Sequence, residues 1–128
     1  MKPAADADAL QQFFISLVNH SETALTLQSF HASAGCGWVQ EPVAGDLIAA
    51  GDERVWCGMP WDLACPVEVD LDLGVQGGGA IRIRFSRRYP APADGSLQLD
   101  AAHLLGSAEL QRAESSSPFL MTIVRQAF

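Results

Sequence analysis

The chain contains no run of about 18 consecutive apolar residues, the length a helix needs to cross a bilayer. That excludes a membrane-spanning helix. Positive charge is scarce: eight Lys and Arg stand against 15 Asp and Glu, for a net charge of −7. Nucleic-acid binding, which draws its affinity from a basic footprint, is excluded with it. The three cysteines (Cys36, Cys57, Cys65) include no C-x-x-C pair, and His20, His31 and His103 are scattered. Four converging metal ligands are not legible, so no metal site is expected. An odd cysteine count leaves at least one free thiol in a monomer. The spacing of Cys57 and Cys65 permits a disulfide, whereas the lack of a secretory leader favours thiols. The opening "MKPAADADAL" carries a lysine with no apolar run behind it, which reads as a chain made in the cytosol. No G-x-S-x-G, P-loop, H-E-x-x-H or G-x-G-x-x-G pattern occurs. Hence no catalytic residue and no cofactor is assigned, and the chain is not expected to be an enzyme.

What is present points to strands. With 128 residues there is room for one core. A composition 48% hydrophobic, with eleven Gly and seven Pro, suits a folded β-rich domain with many turns. Residues 1–11 are Ala- and Asp-rich and read as a loose N-terminal arm, leaving 12–128 as the domain. "QFFISLVN" (12–19) and "ALTLQSFH" (24–31) read as two strands joined in a hairpin through the polar "NHSET". "SAGCGWVQEP" (33–42) is a glycine-bracketed segment around Trp38. A short apolar run follows at Leu47–Ile48, then a strand centred on Val55 and Trp56. "MPWDLACP" (59–66) is a loop with an apolar tip.

The clearest pattern is "VEVDLDL" (67–73), where Val67, Val69, Leu71 and Leu73 alternate with Glu68, Asp70 and Asp72. "AIRIRF" (80–85) repeats it, with Arg82 and Arg84 on the polar face. Period 2 means one buried and one wet face. Joined through "GVQGGG" as an antiparallel hairpin, the two segments oppose acids to arginines. "SLQLD" (96–100) reads as a short strand, and "DAAHLLGS" as a helix turn capped by Asp100. "PFLMTIVRQAF" (118–128) is apolar on both faces, as a central strand should be. Seven to nine strands with frequent turns predict an all-β, single-domain antiparallel β-sandwich.

Half of the eight basic residues (Arg82, Arg84, Arg87, Arg88) fall within seven positions. The first two are the solvated face of the hairpin. Arg87 and Arg88 lie beyond it, beside "YPAPADGS", and are either a solvated loop pair or a phosphate clamp. Trp61 and Tyr89 have apolar bodies and polar tips suited to a membrane interface. Trp38 is either inter-sheet packing or part of the same surface.

The order of these features resembles the aegerolysin family, small acidic β-sandwich proteins, and the short component of bacterial binary insecticidal toxins. The resemblance runs from about residue 12 to 126. "FFISLVNHSETALTLQS" is similar to the family's first hairpin and "GCGWVQEP" to its Gly-x-Trp-x(3)-Pro segment. "CGMPWDLACPVEVDLDL" resembles its Cys-Gly-loop-strand passage, and "RFSRRYPAPADGS" its aromatic strand and Pro-containing loop. The resemblance implies a lipid-binding component of a two-component pore-forming toxin. It would recognise membrane headgroups, often sphingolipids, outside the cell that makes it, and recruit a larger perforin-type protein. The site implied comprises Arg87, Arg88, Tyr89, Trp61, Met59 and Trp38. Self-association is compatible with this reading. A module that recognises a protein or glycan receptor without lipid affinity is the alternative.

Overall fold

Short alternating segments cut by glycine and proline cannot bury their apolar faces alone, and here they stack as two sheets. The computed structural model of the protein describes residues 12–60, 66–88, 92–112 and 118–127. These form ten strands: β1 (Phe13–His20), β2 (Leu25–Ala32), β3 (Cys36–Gln40), β4 (Leu47–Ile48), β5 (Glu53–Pro60), β6 (Val67–Val75), β7 (Ala80–Arg87), β8 (Asp94–Asp100), β9 (Leu104–Arg112) and β10 (Pro118–Gln126). The first sheet runs β3-β5-β1-β10-β9 and the second β4-β2-β6-β7-β8. The architecture is the all-β sandwich that the alternation predicts. One pairing departs from antiparallel order: β1 and β10 run parallel, with Ile15 opposite Leu120.

Between the sheets lie Phe13, Ile15 and Leu17 from β1, Leu71 and Leu73 from β6, and Ile81, Ile83 and Phe85 from β7, each 0–1% exposed. A fully buried side chain of this size contributes roughly 1.5–3 kcal/mol. The β6–β7 hairpin closes through Gly77, Gly78 and Gly79, all at positive φ, a region open to glycine. Its register sets Asp72 opposite Arg82 and Asp70 opposite Arg84. Each pair bonds through the arginine Nε at 2.8 Å.

Two local readings are corrected. β1 and β2 are not a hairpin: they belong to different sheets. β1 carries apolar residues on both faces, so it sits centrally between β5 and β10. The corner that leads to β2 is held by Asn19, fully buried, whose Nδ2 donates to the carbonyls of Thr23, Ile48 and Ala49. Its Oδ1 accepts from the backbone N–H and the hydroxyl of Ser21. Second, no helix turn follows Asp100; a turn at 102–103 leads straight into β9. β2 keeps Leu25 and Leu27 on one face, as read, and then departs from regular alternation. A bulge between Leu27 and Ser29 shifts its register on β6, so Phe30 pairs with Leu71 and Ala32 with Val69. That one extra residue turns Phe30 inward.

Candidate functional site

β7 continues its inward column one residue beyond the apolar set. After Ile81, Ile83 and Phe85 the next inward position is Arg87, which pairs with Val67 and is 8% exposed. The strand thus includes Arg87, which the sequence pattern places in the following loop. Successive residues of a strand point to opposite faces, so Arg87 and Arg88 diverge. Arg88 is exposed, and its Nη2 lies 2.8 Å from Glu68 Oε2. The two guanidinium groups stand on either side of one sheet rather than side by side.

Arg87 meets the first sheet at the end where β3 begins and β5 finishes. Cys36 pairs with Pro60, Gly37 with Met59 and Trp38 with Gly58. Burial pushes the Cys36 thiol above its usual value, while the Met59 backbone and Arg87 pull it down. Burial likewise lowers Arg87 from its ordinary value, with Cys36 acting in the opposite direction. Arg87 on the second sheet and Cys36 on the first both turn inward at this end of the sandwich. Deeper in, aromatic rings fill the gap. Phe13 stacks on Phe85 at 4.9 Å, and Trp38 meets Phe13 edge-on at 5.7 Å and Phe30 at 6.2 Å. Trp38 and Phe30 are half-buried. This end of the molecule is a cationic group set against an aromatic cluster, with Arg88 and Glu68 on the rim outside.

The structure therefore turns Arg87 and Trp38 inward from the two sheets at one end of the sandwich, sets Met59 opposite Gly37 in the β3–β5 pairing, and sends Arg88 to the outer face. Trp61 and Tyr89 lie outside the described residues. In the sequence they directly follow Pro60 and Arg88. Cys36 and Cys57 carry free thiols; the proposed partner Cys65 lies outside the described residues.

Outside the second sheet, from the same end, a groove of about 270 Å³ is lined by Glu68, Asp70, Arg84, Ser86, Asp94 and Ser96. Beside it a second hollow of about 410 Å³ is bounded by Gln28, Ser29, Asp72, Arg82, Gln98 and Asp100. Carboxylates, guanidinium groups and hydroxyls alternate there, an arrangement that can accept both ends of a zwitterion. The sequence signal for the β8 wall was the alternation of Ser96, Gln98 and Asp100 with Leu97 and Leu99. Among the described residues no group of three or more His, Cys, Asp or Glu is placed to hold a metal ion.

No protein-family model and no curated protein sequence matches the chain. Its fold is found in solved structures. IP-1A from Alcaligenes faecalis superposes with a TM-score of 0.69 at 10% identity, over 94% of each chain. RahU, solved in complex with a TRIS molecule, gives 0.69 at 8% identity, over 94% of this chain and 98% of RahU. The lipid-binding protein Nakanori gives 0.65 at 10% identity, over 96% of this chain and 77% of Nakanori.

Proposed function

We propose that the chain recognises membrane lipid headgroups through the end of the sandwich where β3, β5 and β7 meet. The observation that carries this reading is the inward turn of Arg87 at the end of the sandwich that holds Cys36 and the Trp38 cluster, with Arg88 and the acidic groove immediately outside. A guanidinium attracts phosphate, and half-buried aromatic rings suit the interfacial layer. The carboxylates of the groove complement the ammonium of a zwitterionic headgroup. Two further points support it: the resemblance to aegerolysins in the order of sequence features, and a fold shared with a protein described as lipid-binding. On this reading the chain is made in the cytosol, acts outside it, and targets a larger perforin-type partner to sphingolipid-bearing membranes. It binds without perforating on its own.

Vesicle co-sedimentation tests the reading. The panel is phosphatidylcholine alone, then with sphingomyelin, ceramide phosphoethanolamine, anionic lipid or sterol, each at low and high salt. Binding to one headgroup class is expected to survive high salt, since a purely electrostatic attachment fades with screening. Arg88→Ala should reduce the bound fraction several-fold, while Arg82→Ala, further along the ladder, should not. Absence of binding to every mixture would overturn the lipid reading. It would favour a polyhydroxylated receptor ligand, for which the amide- and carboxylate-walled hollow around Gln28 and Gln98 is suited.

A further inference from the structure

The outer faces of the two sheets differ in kind. The second sheet presents the ladder of Asp70, Asp72, Arg82 and Arg84 to water. The first presents Phe14 and Val18 from β1, Val55 from β5, and Phe119, Met121 and Ile123 from β10. Phe14 and Phe119 pack ring to ring at 5.9 Å. Ser16, on this same face, is only 1% exposed because larger neighbours overhang it. No strand among the described residues lies over them: all ten belong to the two sheets. A water-facing sheet normally alternates apolar-in with polar-out. Here the three central strands are apolar on both sides.

We propose that this face is covered by a second copy of the chain, packed sheet on sheet about a two-fold axis running along β1. A sheet face offers rows of side chains rather than a groove for a helix, and sheets packed face to face lie about 10 Å apart. The charged second sheet cannot serve as its complement, because its ion pairs would lose water without gaining partners. The same apolar patch on another copy can. Five strands about 4.8 Å apart, averaging roughly eight residues at about 3.3 Å, give a face near 600 Å² per copy. Two such faces approach the roughly 1,200 Å² at which specific interfaces begin.

The register supports the axis. A two-fold along β1 sets β10 of one copy over β5 of the other. Ser16 is opposite both Met121 and Val55, so Met121 then falls on Val55 of the second copy. Phe14 is opposite both Phe119 and Cys57, so Phe119 falls on Cys57. At the margin, Gln111 is level with Phe119 and Gln40 with Cys57, which brings amide to amide. Val18 is opposite Glu53 and His20 opposite Arg125. Arg125 therefore stands one residue pair, about 7 Å along the strand, from Glu53 of the other copy, within reach of its side chain. An apolar centre with a complementary polar rim is the anatomy of a protein interface. Because the axis runs along the strands, both Arg87 ends face the same way. The inference stands whether or not that end binds lipid.

Sedimentation equilibrium of the full chain across a wide concentration range tests it. The wild type is expected to reach twice the monomer mass. Met121→Glu should raise the dissociation constant about tenfold or more, since it buries an unpaired charge. Glu53→Arg should weaken the dimer, and Glu53→Arg with Arg125→Glu should restore it. Arg82→Glu, on the opposite face, should change nothing. If Met121→Glu fails to fold, the charge-swap pair decides alone. A wild type that stays monomeric overturns the proposal, as does a dimer indifferent to both Met121→Glu and the charge swaps. So does a dimer that appears only when residues 1–11 are deleted, which would make that segment the occupant.

Discussion

Two residues show how tightly the interior is drawn. Gly58 lies opposite Phe13, and a Cβ added there would clash with the tip of the Phe13 ring. Phe13 is fully buried and stacked on Phe85, so the ring has nowhere to move. Gly58→Ala should therefore destabilise the protein by about 1–3 kcal/mol, the usual cost of overpacking a core. A lowered urea midpoint with an unchanged slope checks it. The thiols give a pH signature. Burial raises both Cys36 and Cys57 above the free thiol value of 9.0. The unfolded chain therefore loses these protons first as pH rises. Stability that is fully present below about pH 9 should decline above it, as the unfolded thiols ionise and the folded ones do not. Urea titrations at pH 8 and pH 10 should show a larger loss for wild type than for Cys36→Ala/Cys57→Ala.

Strand β2 depends on its bulge. Strict alternation from Leu25 and Leu27 would aim Ser29 and His31 inward and Phe30 outward. The extra residue at Gln28 reverses this, seating Phe30 against Trp38 and pairing Ser29 with Asp72 on the wet face. Deleting Gln28 removes the extra residue, so Ser29 follows Leu27 on the wet face and Phe30 stays inward in an unbulged ladder. The deletion should therefore keep the Trp38 near-ultraviolet circular dichroism, whereas Phe30→Ala should lose it and about 2 kcal/mol of stability, less than a fully buried ring because Phe30 is half-buried. A lowered urea midpoint checks the second variant. Loss of the Trp38 signal in the deletion would show that the bulge does more than adjust the register. The β6–β7 hairpin is the opposite case: its alternation, its glycine turn and its acid–arginine pairing are all local, and all were legible from the residues. Arg87 was not. Its parity continues the inward column, but nothing in "FSRRYP" says that the strand persists for two residues beyond Phe85.

At the scale of the whole molecule, the parallel pairing of β1 with β10 ties one end of the described chain to the other. Contacts so distant in sequence close slowly, because loop entropy is lost before they form. Refolding should fall in the millisecond-to-second range typical of β-sandwiches, measurable by stopped-flow fluorescence. A chain ending before Pro118 should lack a cooperative urea transition, since β10 lies between β1 and β9 in the first sheet. The buried Asn19 corner adds a second long-range tie, joining the β1–β2 turn to the carbonyls of Ile48 and Ala49.

Alternation, glycine turns and charge placement determined most of the strands, the sandwich class and the polar face of β6 and β7. They could do so because side-chain period and turn chemistry are properties of neighbouring residues. Only the tertiary structure decided that β1 leaves β2 for β5 and β10, that Phe30 turns inward, and that Arg87 is buried while Arg88 is not. Those outcomes depend on which strands pair and in what register. That choice is settled by burying two faces at once, a balance among residues far apart in the chain that no local stretch contains.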